Sequence, residues 1–256
     1  MKHSKYSEIE KLVFHNINTL LSGPAGSGKS TILQQVSKEL GYEFLSITGT
    51  RQTTVGSLLG FISVTGTYIP TLLRDAVENG KMFVIEEVDG MDPNTLLCLN
   101  TIENGYLAFP DKLVDVHENF RLCATANPTD EHASYTGRSK LDMATLDRFD
   151  KVNIPKDNEL EKFLTCDTTF TEVELMRKLL EDNSMSHTIS MRDAIRFFKR
   201  KAISLDTGYE LTLLKEEHIV KEYNSILRKA EPTKVLTQNE CTTIEELWET
   251  IKKESE

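Results

Sequence analysis

Residues 23–30 read GPAGSGKS, that is Gly23, Pro24, Ala25, Gly26, Ser27, Gly28, Lys29 and Ser30. The spacing is G-x-x-x-x-G-K-[ST], and each fixed position has a physical reason. Glycines admit backbone angles and close approaches that a Cβ forbids. Successive N–H groups of such a loop turn inward and form a nest for phosphate oxygens. NINTLLS before the loop reads as a strand, and STILQQVSKEL after it reads as a helix beginning near Lys29. The positive end of that helix dipole therefore falls on the same spot. Lys29 is expected to reach the β- and γ-phosphates of a nucleotide, the Ser30 hydroxyl to bind Mg²⁺, and Thr31 to lie beside them in the first helical turn. The bland alternative is a glycine-rich turn that happens to match, and the strand–loop–helix setting argues against it.

Working outward, the second informative stretch is MFVIEEVDG, residues 82–90. Four apolar residues make a buried strand, and acidic side chains emerge at its C-terminal end, where open α/β sheets bind ligands. Glu86 takes the place at which an aspartate usually supports Mg²⁺. Glu87 is placed to polarise the attacking water as a general base. Asp89 is a competing acid lying farther from the strand. By itself a strand ending in two glutamates means little; downstream of this phosphate loop it means much more.

Short apolar runs recur through the first 155 residues, at Ile17–Leu21, Phe44–Ile47, Met82–Ile85, Leu122–Ala126 and Val152–Ile154. Helical patterns or loops separate them, as in βα units around a mostly parallel sheet. Pro155, Lys156 and Asp157 mark a boundary, because proline ends a strand and polar residues follow. The expected organisation is an N-terminal extension (1–14), a P-loop core (15–155) and a helical domain (156–256). In the last of these, Val173, Leu175, Met176, Leu179 and Leu180 suit one helix and Ala194, Ile195, Phe197 and Phe198 another. A third helix is expected over about Glu216–Ala230. Thr242 and Glu245 form a capping-box pattern ahead of an amphipathic C-terminal helix carrying Ile244, Leu247, Trp248 and Ile251.

Taken in order, the P-loop, the strand with its two glutamates, ATANP at 124–128 and LDRF at 146–149 resemble an AAA+ ATPase. More narrowly, they resemble the dynein-related, MoxR-like branch, which includes cobaltochelatase small-subunit-type and phage-type ATPases. The stretches TTVGSLLGF (53–61), EEVDGMDPNTLLCLNTIENG (86–105) and YTGRSKLDMATLDRF (135–149) carry the resemblance further. It implies an α/β P-loop NTPase fold, a parallel sheet flanked by helices, with a small C-terminal helical lid. It also implies that Asn127 is sensor 1, orienting the attacking water with Glu87, although a turn former before Pro128 would look the same. Arg148 resembles the arginine finger that reaches the nucleotide of a neighbouring subunit; an ion pair with Asp147 or Asp150 is the plainer reading. Arg138 is either a second arginine acting in trans or a loop cation. Arg192, in SMR at a helix start, resembles sensor 2, against a simple surface arginine. GYLAFPDKLVDVHENF (105–120) looks like the hairpin that precedes sensor 1, directed by family analogy to a ring pore or a partner, or else an ordinary surface hairpin.

With 30 basic and 40 acidic side chains the chain carries a formal charge of -10, which argues against whole-surface binding to nucleic acid or anionic membrane. Cys98, Cys123, Cys166 and Cys241 are far apart and lack metal-ligand spacing. No leader-like opening and no apolar run of membrane-spanning length is visible, so a cytoplasmic location is expected, bacterial or in the host if phage-encoded. The leading functional expectation is a Mg²⁺-dependent, ATP-driven, ring-forming motor: a homo-oligomer, hexameric by family analogy. It would remodel or load a protein partner, with a von Willebrand A-type subunit among the candidates. A nucleic-acid-associated ATPase or loader is the second expectation. A slowly hydrolysing assembly switch is the third, kept open by Glu86.

Overall fold

The computed structural model describes residues 1–127, 147–185, 187–203 and 209–229. The chain divides into two compact units, Met1–Asp157 and Asn158–Glu256. In the first, α1 (Tyr6–Phe14), β1 (Thr19–Ser22), α2 (Lys29–Leu40), β2 (Phe44–Thr48) and α3 (Val55–Leu59) come in turn. They are followed by β3 (Phe61–Ile62), β4 (Tyr68–Ile69), α4 (Leu72–Asn79), β5 (Met82–Glu86) and α5 (Pro93–Leu96). The hairpin β6 (Tyr106–Ala108) and β7 (Leu113–Asp115), then β8 (Arg121–Ala126) and β9 (Asp150–Asn153), complete the unit.

Five strands form one parallel sheet in the order β2-β5-β8-β1-β9. Successive side chains of a strand point to opposite faces, and both faces here are covered. Phe83 and Ile85 join Leu20, Leu122 and Ala124 in a core with Leu73 and Val77 of α4. Met82 and Val84 join Leu21, Cys123 and Val152 in a second core, with Ile32, Leu33 and Val36 of α2 and Ile9 and Val13 of α1. Burial on both sides is why these strands read as continuous apolar runs. It also pushes the thiol of Cys98 up to about 11 and that of Cys123 up to about 12, so both stay protonated near neutrality.

The first strand begins at Thr19, two residues later than the apolar run suggested. Ile17 is instead in the turn that closes α1, its N–H donating to Leu12 O at 2.9 Å, and its side chain is exposed. Residues 1–14, expected only as an extension, contain a packed helix whose Tyr6, Ile9 and Val13 are buried. Arg121, at the start of β8, secures its far end. The guanidinium donates to Val13 O at 2.7 Å and Phe14 O at 3.4 Å, and to Glu118 O and Phe120 O at 2.9 Å each. It thereby ties the C-terminal carbonyls of α1 to the turn that precedes β8.

In the second unit, helices over Asn158–Thr165, Asp167–Asp182, Met191–Ala202, Tyr209–Leu214 and Glu217–Lys229 surround a separate core of Val173, Met176, Leu180, Phe197, Leu214, Ile219 and Tyr223. Glu161 is fully buried there and pairs with Arg177 at 2.7 Å. The amphipathic pattern at residues 242–251 and Cys241 lie outside the described residues. Among the described residues no helix is long and apolar enough to cross a membrane.

Replacing Arg121 with Met keeps the aliphatic stem but removes a donor from each of the four carbonyls, of which Val13 O keeps the Asn16 N–H. The expected cost is about 2–4 kcal/mol of stability, read as a lower urea midpoint with an unchanged slope. An unchanged midpoint would show that α1 holds without this anchor.

Candidate functional site

The loop after β1 follows the glycine spacing closely. Gly26 and Gly28 have φ of 77° and 89°, left-handed values that disfavour any residue with a Cβ. Gly23 meets a different constraint: a Cβ there would stand 2.2 Å from Ile154 O. Only glycine lets the loop leave β1 this close to the end of β9. Helix α2 then starts at Lys29, and its first N–H groups face the loop. Ser27 is 3% exposed, and its Oγ has no hydrogen-bond partner among the described residues. Pro24, Ala25 and Thr31 are exposed at the loop's rim.

The Lys29 ammonium donates to Gly23 O at 2.7 Å, Pro24 O at 2.9 Å and Asn127 Oδ1 at 3.1 Å. The Ser30 hydroxyl donates to Glu86 Oε2 at 3.1 Å. Lys29, Ser30, Glu86 and Asn127 therefore meet at the C-terminal edge of β1, β5 and β8. Glu87 follows directly, exposed, with φ 55° and ψ 45°. Asp89, the competing acid, is instead buried at 1% exposure, with Oδ1 3.4 Å from the Asn127 N–H. Its burial contrasts with the exposure of Glu87.

Sequence reading overlooked Gly49 and Gly90, which hold this acidic loop from behind. Gly49 N–H donates to Glu86 O. A Cβ on Gly49 would stand 2.7 Å from Glu87 O, and one on Gly90 would stand 2.7 Å from Gly49 O. A glycine at the C-terminal end of a parallel strand was the available signal, since backbone approaches most closely there.

Arg148 is not with this group. It precedes β9, whose first residue Asp150 stands beside Thr19, the first residue of β1. Arg148 thus lies at the N-terminal edge of the sheet, and the phosphate loop at the opposite edge. The four residues of β1 alone separate the two by ~13 Å at the usual rise. Its Nη1 donates to Asn100 O at 3.2 Å and lies 3.5 Å from Glu103 Oε2. Arg192 is exposed in the first turn of Met191–Ala202, which Ser190 and Asp193 open with a reciprocal capping box. Arg138 lies outside the described residues, as does Pro128.

Comparison with known proteins agrees with this geometry. The family described as AAA domain (dynein-related subfamily) matches residues 18–149, more than half of the chain. The chain belongs to that family. It is an AAA+ enzyme of the ATP-hydrolysing class. Among curated relatives, Midasin of Dictyostelium discoideum is 31% identical over 75% of this chain and 4% of its own length. The aerobic cobaltochelatase subunit CobS of Sinorhizobium sp is 26% identical over 57% of this chain and 50% of its own. The gas vesicle ATPase GvpN1 of Halobacterium salinarum is 25% identical over 77% of this chain and 60% of its own. The chain therefore spans less than two thirds of each. Among solved structures, NtrX of Brucella abortus is similar in fold, with a TM-score of 0.52 at 17% identity, covering 76% of this chain and 47% of that one.

Gly49→Ala is expected to push Glu87 and its loop out of place and to lower ATP turnover at least about tenfold, with ATP still bound. Turnover at the wild-type rate, measured under saturating ATP, would show that the loop tolerates the displacement.

Proposed function

We propose that the chain is a Mg²⁺-dependent AAA+ ATPase that works as a ring, each nucleotide site being completed by Arg148 of a neighbouring copy. The observation that carries this reading is the division of the site residues between the two edges of one sheet. Lys29, Ser30, Glu86, Glu87 and Asn127 stand at the edge where nucleotide binds, while Arg148 stands at the other. A copy cannot bring its own Arg148 to its own phosphates without dismantling β9. A neighbour related by a head-to-tail contact can, and repeated contacts of that kind close into a ring when the rotation permits. A hexamer is the ring size the family resemblance favours.

Within one copy, the loop amides and Lys29 bind the β- and γ-phosphates. Lys29 exchanges the neutral carbonyls of Gly23 and Pro24 for charged oxygens, which are stronger acceptors. The hydroxyl of Ser30 and the carboxylate of Glu86 are hard oxygen donors within hydrogen-bond distance of each other. They fit a small divalent cation that keeps most of its water, and they would hold Mg²⁺ here. When bound, Mg²⁺ supplies charge neutralisation on the phosphate oxygens. Glu87 accepts the proton of the attacking water, and Asn127 orients that water, since an amide can donate and accept at once. Arg148 of the neighbour, permanently charged and forked, stabilises charge developing on the transferred phosphoryl group. Arg192 would report nucleotide state to the lid, and Arg138 would add a second cation in trans.

Hydrolysis is then coupled to remodelling or loading of a partner protein complex. Two relatives named as a chelatase subunit and a gas vesicle ATPase support a protein partner, and a von Willebrand A-type subunit is one candidate. The formal charge of -10 disfavours nucleic acid as the main partner.

ATP hydrolysis per protomer, measured against protein concentration with assembly followed by mass photometry, tests this reading. Specific activity is expected to rise as copies assemble. Glu87→Gln is expected to bind ATP and assemble but to turn over about 100-fold more slowly. Full turnover by a monomer at every concentration would contradict the shared site.

A further inference from the structure

Thr125 belongs to β8, two residues before Asn127, and is 2% exposed. Strands β5 and β8 stay in register as far as Ile85 and Ala124. Beyond that point β5 continues only against β2, with Glu86 beside Thr48, and then the chain turns. Glu87 makes that turn in the left-handed region, at φ 55°. Residues with a Cβ avoid this region, so neighbouring groups must impose it.

The peptide joining Glu86 to Glu87 is held from both sides. Its carbonyl accepts from Gly49 N–H at 2.6 Å, and its N–H donates to Thr125 Oγ1 at 3.1 Å. The first bond is made by backbone and is open to any residue that fits. The second requires a side-chain hydroxyl at position 125. With the β5–β8 ladder ended, the hydroxyl supplies the acceptor that a strand carbonyl would otherwise have given.

We propose that Thr125 is a positioning residue for catalysis. By accepting the Glu87 N–H it stops the Glu86–Glu87 peptide from rotating, and so aims the Glu87 carboxylate at the attacking water. This rests on the reading of Glu87 as the general base. Without the hydroxyl, the N–H loses its acceptor and the peptide can turn over, which takes Glu87 out of the left-handed region and swings its carboxylate away. Misplacement of a reacting group by about 1 Å is enough to cost orders of magnitude in rate. Nucleotide affinity, which rests on the P-loop and Lys29, is left in place. Because Thr125 and Asn127 share one strand, the same β8 end fixes both partners of the attacking water.

The test compares Thr125→Val, Thr125→Ser and Glu87→Gln, together with the double variant T125V/E87Q. Valine keeps the shape and removes the acceptor; serine restores the acceptor. Steady-state turnover and ATP affinity are measured for each, with thermal melting as a check on folding. T125V is expected to lose about tenfold or more in kcat with ATP affinity held within about twofold. T125S is expected to recover most of the loss. In the double variant, the valine should add little to the effect of E87Q, because Thr125 acts through Glu87. Wild-type turnover in T125V beside an inactive E87Q overturns the positioning role alone. An equal loss from valine in both backgrounds also overturns it. Wild-type turnover in E87Q overturns the general-base reading and the positioning role with it. Should T125V not fold, Thr125→Ala removes the same acceptor and is judged by the same outcomes.

Discussion

The site depends on how three neighbouring parallel strands end. Where β1, β5 and β8 stop, backbone groups that a longer ladder would have paired still need partners. The loops supply them: Gly23 N–H donates to Ala126 O at 3.3 Å, Gly49 N–H to Glu86 O, and Glu87 N–H to Thr125 Oγ1. Each of these bonds ties the start of one loop to a neighbouring strand. Together they draw the phosphate loop, the two glutamates and Asn127 to one edge. The close passages at Gly23 and Gly49 follow from the same requirement, since a Cβ at either would meet a carbonyl oxygen.

Charge is arranged on this frame with little room for exchange of roles. Lys29 and Asn127 face each other across the mouth of the loop, and Ser30 faces Glu86. Glu86 therefore looks toward the phosphate loop, while Glu87, turned by its left-handed backbone, is exposed beside it. Two adjacent glutamates thus gain different surroundings from one change in backbone direction. Asp89 is buried and accepts the Asn127 N–H, a supporting contact rather than an open face for water. At the far edge, Arg148 rests against Asn100 and Glu103, weak and partly exposed partners that a more strongly charged neighbour can replace.

Much of this was legible in the sequence, and the reasons are local. The three central strands, β1, β5 and β8, are buried on both faces, so their apolar runs stand out, and the fixed spacing of the P-loop reports its own backbone. The hairpin within 105–120, whose strands have only their middle residue buried, was expected from the family resemblance instead. Other features depend on contacts remote in sequence. Helix α1 offers only Tyr6, Ile9 and Val13 as a signal, and its anchor, Arg121, lies more than a hundred residues away. The β3–β4 hairpin has two residues per strand, too few for any period to show. Its link to the β6–β7 hairpin runs through the edge-to-face contact of Tyr68 with Phe109 and through Arg74, which lies against both rings and pairs with Asp111 and Glu78. Gly49 and the left-handed Glu87 acquire meaning only once β2, β5 and β8 are seen to be neighbours.

The most direct test of a site shared between copies is to mix two inactive variants. Arg148→Ala retains Glu87, and Glu87→Gln retains Arg148. In a mixed ring, some Arg148→Ala copies have a Glu87→Gln neighbour that supplies the missing guanidinium. Recovery of ATP hydrolysis on mixing, above the sum of the two variants measured separately, is the result predicted. Absence of recovery at every mixing ratio, with mixed assemblies shown to form, would contradict the account.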